Sequence, residues 1–343
     1  MISGSASRPD VEYFELGDLE LQSGEVLLGA RLAYRALGNL QADRRNAVLF
    51  PTYYTGTHRD NAQLVQTGRA LDPADWFVVI PNLFGNGVSS SPSNHPMQPG
   101  AAFPRLTLLD NVHAQQRLLR EHFGIEHVAL ALGWSMGAQQ AYHHAALFPE
   151  RVGSLLAVCG SARTAPHNWV FLEGVKAALL ADPAFAAGHY REPPLRGLGA
   201  FGRVYAGWAY SQAFFRKQEY RSLGHASSEA LLEAWALDHQ ARDANDLLCM
   251  LSSWQRADIS DNPRYEGDLG RALGAISART ILMPVDQDLY FHPDDSRLEI
   301  ARLPRAELRI IESSWGHCAG GPDRNPHARA LIDSAIRELL SAG

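Results

Sequence analysis

The sequence has few cysteines, no long apolar run and no cluster of basic residues, and each shortage removes a class of protein. Cys159, Cys249 and Cys318 are the only cysteines in 343 residues. They are scattered, so neither a disulfide framework nor a zinc site is indicated, and a reduced, cytoplasmic setting is expected. No segment approaches the ~18 uninterrupted apolar residues of a membrane span. The first ten residues, Met1 to Asp10, are polar and small and lack the apolar stretch of an export signal. A net charge of −6, with no basic patch to reverse it, argues against nucleic acid or an anionic membrane as partner. Internal repeats and low-complexity segments are also missing. What remains is 46% hydrophobic and 20% charged, ordinary values for a globular protein. The length suits one large α/β domain carrying an insertion.

The chain is organised around Val128-Ala129-Leu130-Ala131-Leu132-Gly133-Trp134-Ser135-Met136-Gly137. Its unbroken apolar run is that of a strand buried on both faces of a parallel sheet. Gly133-x-Ser135-x-Gly137 follows, and then a helical run from Ala138 to Phe148, closed by Pro149. Alone, a five-residue pattern with three fixed positions arises by chance. A strand before it and a helix after it make it a nucleophile elbow. The turn is tight enough to strain the serine and to demand small neighbours.

Residues Val11 to Leu37 alternate as two antiparallel strands, with a turn near Gln22-Ser23-Gly24-Glu25. Short apolar strands follow at 47–50 and 76–81, and a helix at 110–123 leads into the elbow strand. The next strand is 154–159. Strands alternating with helices in this way predict a mostly parallel, doubly wound sheet. From 165 to 274 helical spacing dominates, over 168–180, 198–220, 228–238 and 243–254, with many aromatics that read as core. This block is a helical lid inserted into a core made of 1–164 and 275–343. Alternation then resumes with strands at 280–285 and 307–311 and helices at 294–303 and 328–340.

A serine hydroxyl needs a base to take its proton, and the base needs an acid to hold it. In an elbow architecture those partners come later in the chain, acid before histidine. Of the 14 histidines, His317 alone lies just past the final strand, in a glycine-containing loop. The loop after the preceding strand offers Asp286 and Asp288. Asp288 is preferred because it lies farther along, where the loop can turn towards the histidine. The oxyanion hole needs two main-chain N–H groups. Met136 provides one by position, and Tyr54 is the choice for the other, with Tyr53 as the alternative.

Taken together, these segments resemble the homoserine O-acetyltransferase branch of the α/β-hydrolase superfamily, over nearly the whole chain. Phe50-Pro51-Thr52-Tyr53-Tyr54-Thr55-Gly56 stands in the place of that family's H-A-L-T-G loop. Pro81-Asn82-Leu83-Phe84-Gly85 and the run from Phe103 to Asp110 are similar to its P-N-x-x-G and F-P-x-x-T-x-x-D segments. Gly133–Gln140 stands where it has G-G-S-M-G-G-M-Q. Asp182-Pro183-Ala184-Phe185, Gly188-His189-Tyr190 and Asp243-Ala244-Asn245-Asp246 resemble its lid motifs, and Asp288-Leu289-Tyr290 with Gly316-His317 completes the likeness. The resemblance implies an α/β-hydrolase fold, a Ser135–His317–Asp288 triad, no cofactor or metal, and a possible homodimer through the lid.

Where the sequence departs from this family, it departs at the substrate. The small residue before the nucleophile is Trp134. The lid Tyr-Arg-Ser appears as Tyr210-Ser211-Gln212, and the Asp after the histidine is Cys318. An amino-acid acceptor needs partners for both its ammonium and its carboxylate, because unpaired buried charge is costly. Both expected partners are missing. Tyr53, Trp134, Tyr210 and Cys318 are expected to line the pocket of an esterase acting on small acetyl-type esters. The alternatives are acetyl transfer from acetyl-CoA to homoserine or serine, and a silent scaffold.

Overall fold

A computed structural model describes residues 10–341; the polar stretch that precedes Asp10 lies outside them. Eight strands form one sheet: β1 (Glu12–Glu20), β2 (Val26–Leu37), β3 (Ala47–Leu49), β4 (Phe77–Pro81), β5 (Val128–Trp134), β6 (Val152–Val158), β7 (Arg279–Met283) and β8 (Ala306–Leu308). Their order is β1-β2-β4-β3-β5-β6-β7-β8. β1 with β2, and β2 with β4, are antiparallel, and every later pairing is parallel. The elbow strand β5 is therefore interior. Alternate residues of the strands feed opposite layers: Leu49, Ala131 and Leu155 pack in one core and Val48, Leu130 and Leu156 in the other.

Among the described residues, three α-helices precede β6: α1 (His58–Ala62), α2 (Leu108–Arg117) and α3 (Met136–Leu147). α2 starts earlier than the spacing predicts. Thr107 and Asp110 form a reciprocal capping box at its entrance, which satisfies two end donors. It passes into a π-helical turn over Leu118–His122. α3 covers one face of the sheet, and α11 (Pro326–Ser341) covers the other through Ala328, Ile332, Ala335 and Ile336.

Between β6 and β7 the chain leaves the sheet and runs through α4 (Pro166–Leu180), α5 (Leu195–Ala209), α6 (Gln212–Arg216), α7 (Ser228–Gln240), α8 (Ala244–Gln255) and α9 (Leu269–Gly274). The spacing predicts one helix over 198–220; the chain instead breaks there. Tyr210 is extended, Ser211 accepts from Phe214 N–H to cap α6, and Gln218 is left-handed. Phe171, Phe201, Phe214 and Trp254 are fully buried in a third core over the sheet's C-terminal edge, which also takes in Tyr54, Met136, Tyr290 and Phe291. α10 (Pro293–Ile300) follows β7. β8 is shorter than its apolar pattern suggests, although a single bridge, Val285 with Ile311, carries the pairing onward. Among the described residues no helix is long and apolar enough to cross a membrane.

Candidate active site

Ser135 joins β5 to α3 with φ 58 and ψ −130, a region costly for any side chain, at about 1–3 kcal/mol. Its N–H donates to Val158 O of β6 at 3.0 Å, and its carbonyl accepts from Gln139 N–H at 3.1 Å. The neighbouring glycines are required by space. A Cβ on Gly133 would lie 2.1 Å from the carbonyl carbon of Gly137, and one on Gly137 would lie 2.7 Å from Pro51 O. Ser135 thus stands at the N-terminus of α3, whose first-turn N–H groups, Met136 among them, have no partner within the helix.

The loop after β8 brings His317 to the same place, buried. Its Nδ1 lies 2.6 Å from Asp288 Oδ2. Asp288 has no exposed surface, and its other oxygen accepts from Tyr290 N–H at 3.1 Å and Phe291 N–H at 3.0 Å. Asp286 goes elsewhere: it accepts from Ser313 N–H at 2.8 Å and ties the two loops together. His317 Nε2 is buried and has no hydrogen-bond partner among the described residues. The imidazole is packed between rings, 4.8 Å from Trp134, 4.4 Å from Tyr290 and 5.5 Å from Phe291. Gly316, at φ +57, lets its loop pass Ser211 N at a distance any Cβ would crowd.

The loop after β3 closes the other side. Asn61 Nδ2 donates to the carbonyls of Phe50 and Pro51, each at 3.0 Å. Gln140 Nε2 donates to Thr52 O at 2.8 Å and to Met136 O at 3.1 Å. Gln115 Nε2 donates in turn to Gln140 Oε1 at 2.6 Å. With three successive carbonyls held in this way, Tyr53 and Tyr54 are set against the pocket that contains Ser135.

That pocket has a volume of about 260 Å³ and is walled by Tyr53, Tyr54, Trp134, Tyr210, Tyr290 and Cys318 around Ser135 and His317. Ser135, His317, Tyr53, Tyr54, Trp134, Tyr210 and Cys318 all line it; Asp288 lies behind His317, and Met136 stands beside Ser135 as the first residue of α3. Burial pushes the Cys318 thiol up, so the group in place of the family's aspartate is neutral. Burial also pushes the Tyr53 hydroxyl up to about 12. Ser211 is spent on its helix cap and on a 2.5 Å bond to Ser314 O, and Gln212 is exposed.

The two positions where the family places charges are uncharged here, yet the pocket still carries charge from other residues. Arg324 lines it, with its guanidinium 5.6 Å above the Trp134 ring. The Asp238–Arg242 pair stands at the lid side. The Arg324 side chain is exposed, and the folded loop lays its guanidinium across the pocket wall. Among the described residues, Cys159, Asp288 and His317 are the one grouping of metal-type donors, within 4.8 Å. Burial keeps the Cys159 thiol protonated, so the set fits proton transfer better than an ion.

Residues 48–321 match the family model described as the alpha/beta hydrolase fold. The chain is 37% identical over 336 residues to the ethyl acetate hydrolase of Pseudomonas veronii, covering 96% of this chain and 95% of that protein. It is 32% identical to a homoserine O-acetyltransferase of Thermobifida fusca, covering 97% and 94%. The solved structure of an acetylester hydrolase from Corynebacterium glutamicum superposes with a TM-score of 0.93 at 35% identity, covering 96% of each chain.

Proposed function

This chain belongs to the alpha/beta hydrolase fold family, and from that premise we propose that it is a serine esterase cleaving small acetyl-type esters through an acyl-enzyme. Ser135 attacks the ester carbonyl, and His317 Nε2 takes its proton and passes it to the leaving alcohol. Asp288, hydrogen-bonded to Nδ1, fixes the tautomer and stabilises the imidazolium. The N–H groups of Met136 and Tyr54 receive the oxyanion. Water then repeats the attack on the acyl-enzyme, with His317 as the base.

The observation that carries this reading is the state of His317. One nitrogen is tied to a fully buried carboxylate, and the other is unpartnered in the pocket that holds Ser135. Hydrolysis is favoured over transfer to homoserine by the neutral Cys318 thiol, which offers an ammonium no charge. The ethyl acetate hydrolase and acetylester hydrolase relatives support the same choice. The test is a side-by-side assay of acetate release from ethyl acetate and of acetyl-CoA-dependent transfer to homoserine and serine. Acetate release is expected at a rate indifferent to millimolar homoserine. Accumulating O-acetylhomoserine would replace this reading with the acyltransferase one.

The partner is a small ester, with no nucleic acid or membrane. Three unpaired cysteines support the cytoplasm as compartment. A homodimer through the lid is supported by the exposed Trp169, Val170, Leu195 and Val204 on neighbouring α4 and α5.

A further inference from the structure

Arg324 is a cation in the catalytic pocket with no anion of its own. The adjacent acid, Asp323, is bonded to Arg329 Nη1 at 2.5 Å, and no carboxylate among the described residues pairs with Arg324. Its side chain folds back over the loop, where Gly321 leaves room. A Cβ on Gly321 would lie 2.7 Å from Arg324 Cδ. The fold-back carries the guanidinium over the face of Trp134, whose ring in turn lies against His317. The groups around it are Tyr53, Cys318 and Tyr210, all pocket-lining. The hydroxyls and thiol of these neighbours are held neutral by burial. A guanidinium so placed, one ring from the reacting imidazole, presents a planar fork of donors that matches a carboxylate.

We propose that Arg324 selects acetate esters whose alcohol portion carries a carboxylate a few bonds from the ester oxygen, that is, acetylated short-chain hydroxy acids. This rests on the esterase reading above and narrows it. The acetyl group leaves no room for an ionised group on the acyl side, so the carboxylate belongs to the alcohol. Arg324 is exposed at the mouth of the pocket, which makes the selection a preference that salt weakens and not an absolute requirement.

The test compares kcat/KM for 4-acetoxybutanoate, its uncharged counterpart 4-acetoxybutanamide, monoethyl succinate and ethyl acetate, at low and high sodium chloride. The wild-type protein is expected to prefer the carboxylate over the amide by about tenfold or more, as charge-assisted hydrogen bonds allow, and to lose part of that preference in salt. Arg324→Met, which keeps an apolar stem over Trp134, should bring the carboxylate-to-amide ratio close to one. Arg324→Lys should keep part of it. An arginine that only props Trp134 would lower both substrates together and leave the ratio intact, which overturns the inference. So does a wild-type ratio near one, and so does a preference for monoethyl succinate, which would put the carboxylate on the acyl side. If ethyl acetate is cleaved while the ratio stays near one, the narrowing alone fails. If no ester releases its alcohol, the esterase reading falls and takes this inference with it.

Discussion

At the scale of single residues, the chemistry depends on a few side chains that each have one arrangement open to them. Ser135→Ala removes the nucleophile and should lower kcat by roughly 10⁴-fold or more, as triad knockouts do elsewhere. An organophosphonate should label Ser135 in the parent protein, and peptide mass mapping locates the adduct. Labelling of another serine with activity retained in the alanine variant would end the assignment. Asp288→Asn leaves the imidazole without its acceptor, and a loss of about 10⁴ in kcat is expected. Asp286→Asn keeps an oxygen for Ser313 N–H and should change kcat only a few-fold; the opposite ranking at equal melting temperature would exchange their roles. The order of serine, acid and histidine was legible because chain order and strand ends constrain it. The choice between two aspartates two residues apart was only a preference in the sequence. In the structure Asp288 lies 2.6 Å from His317 Nδ1 and Asp286 accepts from Ser313 N–H instead, a matter of loop geometry that no pattern encodes. Arg324 was illegible for the same reason.

At the scale of elements, the loop after β3, proposed to supply an oxyanion donor, is held by helices, not by its own sequence. Gln140 of α3 holds Thr52 O and is itself held by Gln115 of α2. Gln140→Ala frees the Thr52 carbonyl and strands the Gln115 amide. We expect kcat to fall about tenfold with KM nearly unchanged, because oxyanion stabilisation is realised mainly in the transition state. A rise in KM at constant kcat would show that the loop shapes substrate binding instead. The interior strands were easy to read, since burial on both faces leaves only apolar residues in them. The lid was read as helical, but its breaks were not placed. The break at Tyr210 is held by Ser211, which caps α6 and bonds Ser314 O in the loop that carries His317, and such a tertiary contact overrides local spacing.

At the scale of the whole molecule, buried acids clamp separate layers and make stability depend on pH. Glu299 of α10 accepts from Tyr142 Oη of α3 and from Ala162 N–H beyond β6, both at 2.7 Å. Burial raises its carboxyl to about 8. The folded protein therefore keeps a proton that the unfolded chain releases above its ordinary value of about 4.5. That contribution to stability is complete below the unfolded value and is lost as pH rises towards 8. Melting temperature should decline from pH 5 to pH 8, and Glu299→Gln should flatten the slope; an unchanged slope would refute the clamp's titration. Asp246, raised by burial to about 7, leaves a residual decline in the variant. β6 and β7 lie side by side, Val158 opposite Met283, yet the whole lid is spelled out between them. About half of the pocket wall therefore comes from a single uninterrupted cassette of chain. Ser135 precedes that cassette and Asp288 and His317 follow it, so a change confined to the lid alters which ester is admitted without displacing the groups that break it.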